Sequence, residues 1–493
     1  MSDKNSQTYD VVVIGAGPVG ENVADRTSAA GLRTIIVESE LIGGECSYWA
    51  CEPSKALLRP VLLHAEAARF PGVDSAVTGP LDAHAVLKHR DRMSADWNDS
   101  GQVEWLESAG IALIRGYGRL AGTRQVTVET PDGETVRLTA RHAVAVCTGT
   151  SAALPPLPGL DSVRPWTSRE ATSAQKVPQR LAILGAGVVA TEMATAWQAL
   201  GSQVTLIARE PRLLTRVESF AAELVERQLR KVGVDLRFDT TITSADRAGG
   251  PDDGIHLTLG DGSRIVADEL LLATGRAPRT EDVGLDTVGL TPGEWLTTDD
   301  TFTVTAVEGD WLYAVGDVNR RALLTHQGKY QARIAGAVIA DRARGLDLDT
   351  GPWGRHAGTA DLVAVPQVIF TDPEIAAVGL TTDDAARTGR AVDVVDYDIG
   401  SVAGAIQHDP SYQGRARLLI DPERRVVVGA TFAGAGVAEL LHSATIAITG
   451  EIPLERLWHA VPSFPTISEI WLRLLETYRD DQYPRINAAT TTY

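Results

Sequence analysis

Short β-branched runs that break at glycines and continue with helical spacing recur along this chain. YDVVVIGAGPVG (residues 9–20) carries an apolar run into Gly15, Gly17 and Gly20, and ENVADRTSAAG behind it reads as a helix. A second apolar run, RTIIVES, ends near Glu38. The same order returns at RLAILGAGVVATEMATAWQALGSQVTLIAREPRLLTR (180–216), with Gly185 and Gly187 in place and Ala190 standing for the third glycine. Further on, GRARLLIDPERRVVVGATFAG (414–434) alternates apolar and polar positions as strands do. No apolar run approaches the roughly 18 residues of a membrane-spanning helix.

The first run, turn, helix and second run, closed by an acid, form a dinucleotide fingerprint. The glycines permit a tight turn and a close backbone approach, the helix N-terminus takes the pyrophosphate, and Glu38 is placed for a ribose hydroxyl. In the second unit Ala208 stands where Glu38 does, followed by Arg209, with Arg212 and Arg216 close behind. An arginine where an acid would repel a 2′-phosphate points to NADPH rather than NADH. Two such units imply two dinucleotides, a flavin and a nicotinamide.

Length and charge narrow the picture. At about 150 residues per domain the 493 residues suggest about three domains. A formal net charge of −18 argues against nucleic acid or an anionic membrane as a partner. The N-terminus leads straight into the first apolar run, and with three cysteines in the chain this suggests the cytoplasm.

Two of those cysteines lie in GGECSYWACEPSK (43–55). Residues five apart in a regular helix are about 7.5 Å apart along its axis, beyond the reach of a disulfide, so a bridge between Cys46 and Cys51 needs a distorted turn. Such bridges are readily reduced. A helix opening at Pro53 and Ser54 would stabilise a thiolate. The third, Cys147, lies in the apolar run HAVAVCTG and reads as a core residue.

Together with the first fingerprint, GGECSYWACEPSK, LLLATGRAP, WLYAVGD (311–317), LLTHQGKYQARIAG (323–336) and VPQVIFTDPEIAAVGL (365–380) make the chain resemble the flavoprotein pyridine nucleotide-disulfide oxidoreductases over nearly all its length. The resemblance implies an α/β fold: two Rossmann-like dinucleotide-binding domains, for FAD and NAD(P), plus a C-terminal α+β dimerisation domain. The FAD domain would span 1–157 and return at 286–352, the NADPH domain 158–285, and the interface domain 353–493. FAD would lie on Gly15, Gly17, Gly20 and Glu38, with Asp317 at its ribityl or diphosphate portion and the helix starting near His326 aimed at its pyrimidine. Gly44, Thr148, Gly149 and Gly275 join the cofactor-binding set, with Gly185, Gly187, Ala190, Arg209 and Arg216 for the nicotinamide. Lys55 would pair with Glu192 beside the flavin, and each C-terminal segment would complete the partner's site in a homodimer.

One departure stands out. The family's C-terminal His-Pro, followed four residues later by Glu, supplies the acid-base for thiol exchange. Here AVPSFPTISEIW keeps Pro465 and Glu469 but has Phe464 for the histidine, as does 2-ketopropyl coenzyme M oxidoreductase/carboxylase. His459, five residues away, reads as a helix-face residue. The end INAATTTY lacks the cysteine pair through which mercuric reductase receives metal. The expected activity is electron flow from NADPH through flavin and Cys46-Cys51 to a small-molecule acceptor, with slow disulfide turnover because acid-base help is typically worth about 10² to 10⁴-fold. Direct transfer from flavin to quinone or oxygen, and a non-catalytic redox sensor, are the alternatives.

Overall fold

The computed structural model describes residues 6–247 and 254–482; the C-terminal stretch INAATTTY lies outside them. Ser6–Ile14 is a central strand of a seven-stranded sheet. Thr34–Glu38 and then Ala112–Arg115 flank it on one side, all parallel, and Thr135–Val146 lies parallel on the other. Gln125–Glu129 and Tyr117–Leu120 continue the sheet antiparallel. Val11, Val12 and Val13 are wholly buried, as a parallel strand covered on both faces requires. One face packs on the helices Pro18–Ala29 and Thr325–Ala343, the other on the antiparallel strands and Leu296, Val304 and Trp311. Leu312–Ala314 returns nearly 300 residues after the first strand to pair parallel with Thr135–Val146. The chain thereby brings Asp317 and the Thr325 helix back to the first glycine turn.

A second parallel sheet, of four strands, runs Asp235–Arg237, Gln203–Ile207, Arg180–Leu184, Glu269–Leu272 and carries the helix Val188–Ala199. A three-stranded antiparallel sheet (Ile242–Asp246, Ile255–Leu259, Arg264–Ala267) packs beside it. The chain enters and leaves this region through one antiparallel ribbon, Thr150–Ala152 against Arg276–Pro278.

The C-terminal part is a five-stranded antiparallel sheet ordered Pro366–Ile369, Glu374–Gly379, Val426–Gly434, Arg415–Asp421, Asp393–Asp398, with the helices Leu441–Thr449 and Ile470–Gln482 against it. The alternation expected over 414–434 holds only from Arg415 to Leu418, after which Leu419 and Ile420 are buried as well. Every residue of Val426–Gly434 is buried, because this strand sits mid-sheet with Leu441–Thr449 and Ser219–Lys231 both packed on it. Two parallel dinucleotide-type sheets and an α+β unit are the fold class that the sequence implies.

Candidate active site

The glycines of the first turn divide their work as the fingerprint requires. Gly15 has φ +98°, and a Cβ there would meet the Cys147 carbonyl oxygen at 2.6 Å. A Cβ at Gly20 would come within 1.9 Å of the Gly15 oxygen, so only glycine lets helix and turn touch. At Gly17 an added Cβ meets nothing within 4 Å, and this open face is where a diphosphate can reach the N-terminus of the Pro18–Ala29 helix. The second turn repeats the pattern: Gly185 has φ +132°, Gly187 is open, and Ala190 is fully buried in the third glycine's place.

Gly15 and Gly17 open onto a cleft that Glu38, Gly44, Cys46, Thr148, Gly149 and Asp317 also line. Gly149 takes φ +68°. The Glu38 carboxylate accepts from the backbone N–H of Ala16 and of Glu40, both at 2.7 Å, while burial holds its acidity below that of a free carboxyl. Asp317 accepts from Thr150 Oγ1 at 2.9 Å, and burial pushes its pKa up. Arg276 locks Thr150 in place, donating from Nε to its hydroxyl (2.9 Å) and from Nη2 to its carbonyl (2.7 Å). Thr148 Oγ1 is buried without a hydrogen-bond partner. A buried hydroxyl with nothing to bond and a glycine face a Cβ would fill both fit a bound dinucleotide, here FAD.

Cys46 ends up beside this cleft because the helix breaks between the two cysteines. Gly44–Tyr48 is one short helical turn, Trp49 and Ala50 leave helical geometry, and Cys51 opens Cys51–Arg69. The long helix thus starts at Cys51, two residues before the expected Pro53, since the kink at Ala50 rather than the proline sets its N-terminus. The distorted turn required for the pair is present. Both cysteines are thiols in this structure, and Thr325 Oγ1 lies 3.3 Å from each sulfur. Their mutual hydrogen bond is the largest influence on both: it brings Cys51 down to about 6, helped by Thr325 and Lys55 and opposed by burial, and drives Cys46 up. A helix N-terminus with Lys55 one turn on is the setting that favours a thiolate. Cys147 is buried, and burial pushes its thiol up, which agrees with a core role.

One turn after Cys51, Lys55 Nζ donates to Glu192 Oε2 at 2.8 Å, and Glu192 Oε1 accepts from the Phe370 N–H at 3.0 Å. The Lys55 ammonium also sits 5.1 Å from the centre of the Phe370 ring. Residues from all three sheets' surroundings meet there. In the second unit Arg209 and Arg216 are exposed, with Arg209 reaching only Glu210 at 3.1 Å. Arg212 is engaged instead with the carbonyls of Leu213 (3.2 Å) and Leu214 (3.1 Å), so it braces its own loop. Gly275 (φ +141°) directly precedes the ribbon strand Arg276–Pro278, its carbonyl bound by Ala153 N–H at 3.0 Å. His326 turns its ring to the Pro366 carbonyl (2.7 Å), leaving Thr325 as the residue of that helix end that lines the cleft.

At the C-terminus Phe464 is 75% exposed and Val461 85%. Glu469 is buried, its Oε1 accepting from Arg473 Nη2 at 2.5 Å and its Oε2 without a partner. His459 lies past the end of the Leu454–Leu457 helix, exposed.

Thr325, Arg276 and the cluster formed by Glu45, Arg169 and Arg279 escaped the sequence reading. Glu45 Oε1 accepts from Arg169 Nε and Arg279 Nη2, both at 2.6 Å, and the Arg169 guanidinium lies 3.9 Å over the Trp49 ring. Only the position of Thr325 at the head of a helical stretch was a usable signal.

Family comparisons agree with this geometry. Residues 9–336 match the pyridine nucleotide-disulphide oxidoreductase family and residues 365–474 its dimerisation domain. The chain is 32% identical over 475 residues to dihydrolipoyl dehydrogenase 3 of Pseudomonas aeruginosa, covering 94% of this chain and 96% of that one. It is 28% identical over 468 residues to mercuric reductase of Staphylococcus aureus, covering 94% and 81%. Its fold overlays on the HOCl-induced flavoprotein disulfide reductase RclA from Escherichia coli with a TM-score of 0.80 at 21% identity, over 95% of this chain and 99% of that one. The chain belongs to the pyridine nucleotide-disulphide oxidoreductases, flavin-dependent enzymes that use FAD and NAD(P)H.

Proposed function

We propose that this protein takes two electrons from NADPH, in preference to NADH, and delivers them through the Cys46-Cys51 pair to a small-molecule acceptor. The observation that carries this reading is the cysteine pair set against the FAD cleft at a helix N-terminus, with Lys55 one turn away. FAD, when bound, supplies two-electron transfer between the nicotinamide and the sulfurs. Gly15, Gly17 and the Pro18–Ala29 helix hold its diphosphate, Thr148 and Asp317 its polar middle, and Glu38 a ribose hydroxyl. Lys55 and Glu192 fix the approach of the nicotinamide, and Arg209 with Arg216 takes the 2′-phosphate. Reduction of the disulfide consumes two electrons and one proton and leaves one thiol and one thiolate; the acceptor takes the two electrons, the thiol's proton passes to the acceptor or to water, and the disulfide re-forms.

The working unit in this reading is a homodimer, in which Val461 and Phe464, apolar and exposed on one chain, are covered by the partner. Boundaries near 157, 285 and 352 separate its FAD, NADPH and interface domains. Phe464 makes it an atypical member, with no imidazole to exchange protons at the sulfurs. Among the described residues no helix is long and apolar enough to cross a membrane.

The test is a screen of NADPH oxidation against lipoamide, small disulfides, quinones, Hg²⁺ and oxygen, with wild type and a Cys46→Ser, Cys51→Ser double variant. Turnover that disappears in the double variant supports the cysteine route. Turnover that survives intact assigns the chemistry to direct transfer from the flavin.

A further inference from the structure

Thr325 is the first residue of the Thr325–Ala343 helix, 274 positions from Cys51 and 279 from Cys46, and among the described residues it is the one hydroxyl that touches both sulfurs. Its Oγ1 donates to Cys46 Sγ at 3.3 Å and shares a hydrogen with Cys51 Sγ at 3.3 Å, where either atom can be the donor. A hydroxyl carries one hydrogen and two lone pairs, so it can donate to a thiolate and accept from a thiol at the same time. Turned about its C–O bond, it can give its one hydrogen to Cys51 Sγ instead. A two-electron-reduced cysteine pair holds one proton and one negative charge, and this is the pattern a single hydroxyl between two sulfurs completes.

We propose that Thr325 is a catalytic residue of the redox pair: its hydroxyl, within reach of both sulfurs, donates to whichever of them is ionised, holding the pair as thiol and thiolate without an imidazole. The inference rests on the redox reading of Cys46 and Cys51. No bond to oxygen forms. The electrons stay on the sulfurs, and the one proton remains between them.

The charged groups facing the pair are few. Lys55, on the same helix as Cys51, favours its ionised form, Glu192 opposes it, and Glu52 opposes ionisation of Cys46. None of them bonds both sulfurs, and the imidazole that would titrate beside them is replaced by Phe464. Thr325 is therefore the short-range group that can distinguish one protonation state of the pair from the other.

The experiment compares wild type, Thr325→Val, Thr325→Ala and Thr325→Ser as FAD-loaded full-length protein reduced by one equivalent of NADPH. The long-wavelength thiolate-to-flavin band is titrated from pH 5 to 9, and the rate of cysteine alkylation by iodoacetamide is followed over the same range. Wild type is expected to titrate near pH 6. Thr325→Val and Thr325→Ala should move the midpoint up by about one pH unit or more, about a five-fold loss of thiolate at pH 6, and Thr325→Ser should restore it. Alkylation after reduction by a phosphine needs no flavin and carries the comparison for any variant that loses the cofactor. Valine and alanine variants that titrate with wild type overturn the role of Thr325 and leave the redox reading standing. A wild type with no thiolate band, and cysteines that alkylate as ordinary thiols, overturns the redox reading itself.

Discussion

Lys55 Nζ meets Glu192 Oε2 at 2.8 Å across 137 positions of sequence, and the carboxylate side chain is only 4% exposed while the lysine is 36% exposed. Removing the lysine leaves a buried charge with the Phe370 N–H as its remaining partner. Lys55→Met should therefore cost about 1 to 3 kcal/mol, less than a fully buried pair because the lysine is partly solvated. Flavin reduction by NADPH should slow by about 10-fold or more if the pair positions the nicotinamide. Urea unfolding and stopped-flow absorbance read the two effects separately, and a variant that reduces its flavin as fast as wild type refutes the positioning role.

Arg209 and Arg212 should separate cleanly. Arg209→Glu should lower kcat/KM for NADPH relative to NADH by about 10 to 100-fold, the loss of one charge-assisted phosphate contact, with little change in stability. Arg212→Met removes bonds to the carbonyls of Leu213 and Leu214 and should lower stability by about 1 kcal/mol without changing cofactor choice. Steady-state kinetics with both nucleotides and thermal melts check the pair; a wild type that prefers NADH rules out the assignment of Arg209.

Phe464→His should raise turnover with a small disulfide by about 10-fold or more, up to the roughly 10² to 10⁴-fold ceiling of general acid-base help. Glu469 Oε2, buried and without a partner, is available to orient the new ring, although Arg473 already occupies Oε1. A wild type that already turns over lipoamide at hundreds per second, unchanged by the substitution, would show that another group supplies the proton.

Glu21, on the Pro18–Ala29 helix, gives a pH-dependent term in stability. Burial raises its pKa from 4.5 to about 7, and its Oε1 has no partner. A pKa higher in the folded state means the folded chain holds the proton more tightly, so this contribution is full below pH 4.5 and is lost as pH rises through 7. The span of about 2.5 units corresponds to about 3 kcal/mol. Glu21→Gln should be about as stable as wild type at pH 4.5 and more stable at pH 8, by denaturant titration; equal pH slopes for the two proteins would contradict it.

Dimerisation should depend on the exposed C-terminal apolar residues. Wild type should sediment at about twice 52.6 kDa, and Val461→Asp should shift it toward monomer and reduce turnover together. A monomeric wild type with full turnover excludes the shared site.

What the sequence disclosed were features with local signatures. Gly15 and Gly20 announce a turn because only glycine fits the contacts that the structure displays, Gly17 between them leaves an open face, and Glu38 follows at the end of the next strand. The Lys55–Glu192 pair has no local signature and was reached through resemblance alone. Thr325 and Arg276 were missed because their roles exist only once remote segments close on each other: Thr325 against two cysteines nearly 280 positions away, Arg276 against Thr150 across the ribbon. The start of the Cys51 helix was misplaced because proline is a common helix opener, whereas here the break at Ala50 decides.

The antiparallel ribbon of Thr150–Ala152 and Arg276–Pro278 places the two ends of an insert, residues 153–275, side by side, about one strand spacing or 4.8 Å apart. A body held at two adjacent points resists torsion about its attachment far better than one on a single tether. The same closeness of ends makes the insert a cassette: a relative's segment can be spliced in at the ribbon without stretching the host sheet, whose own strands before and after the splice already lie in register.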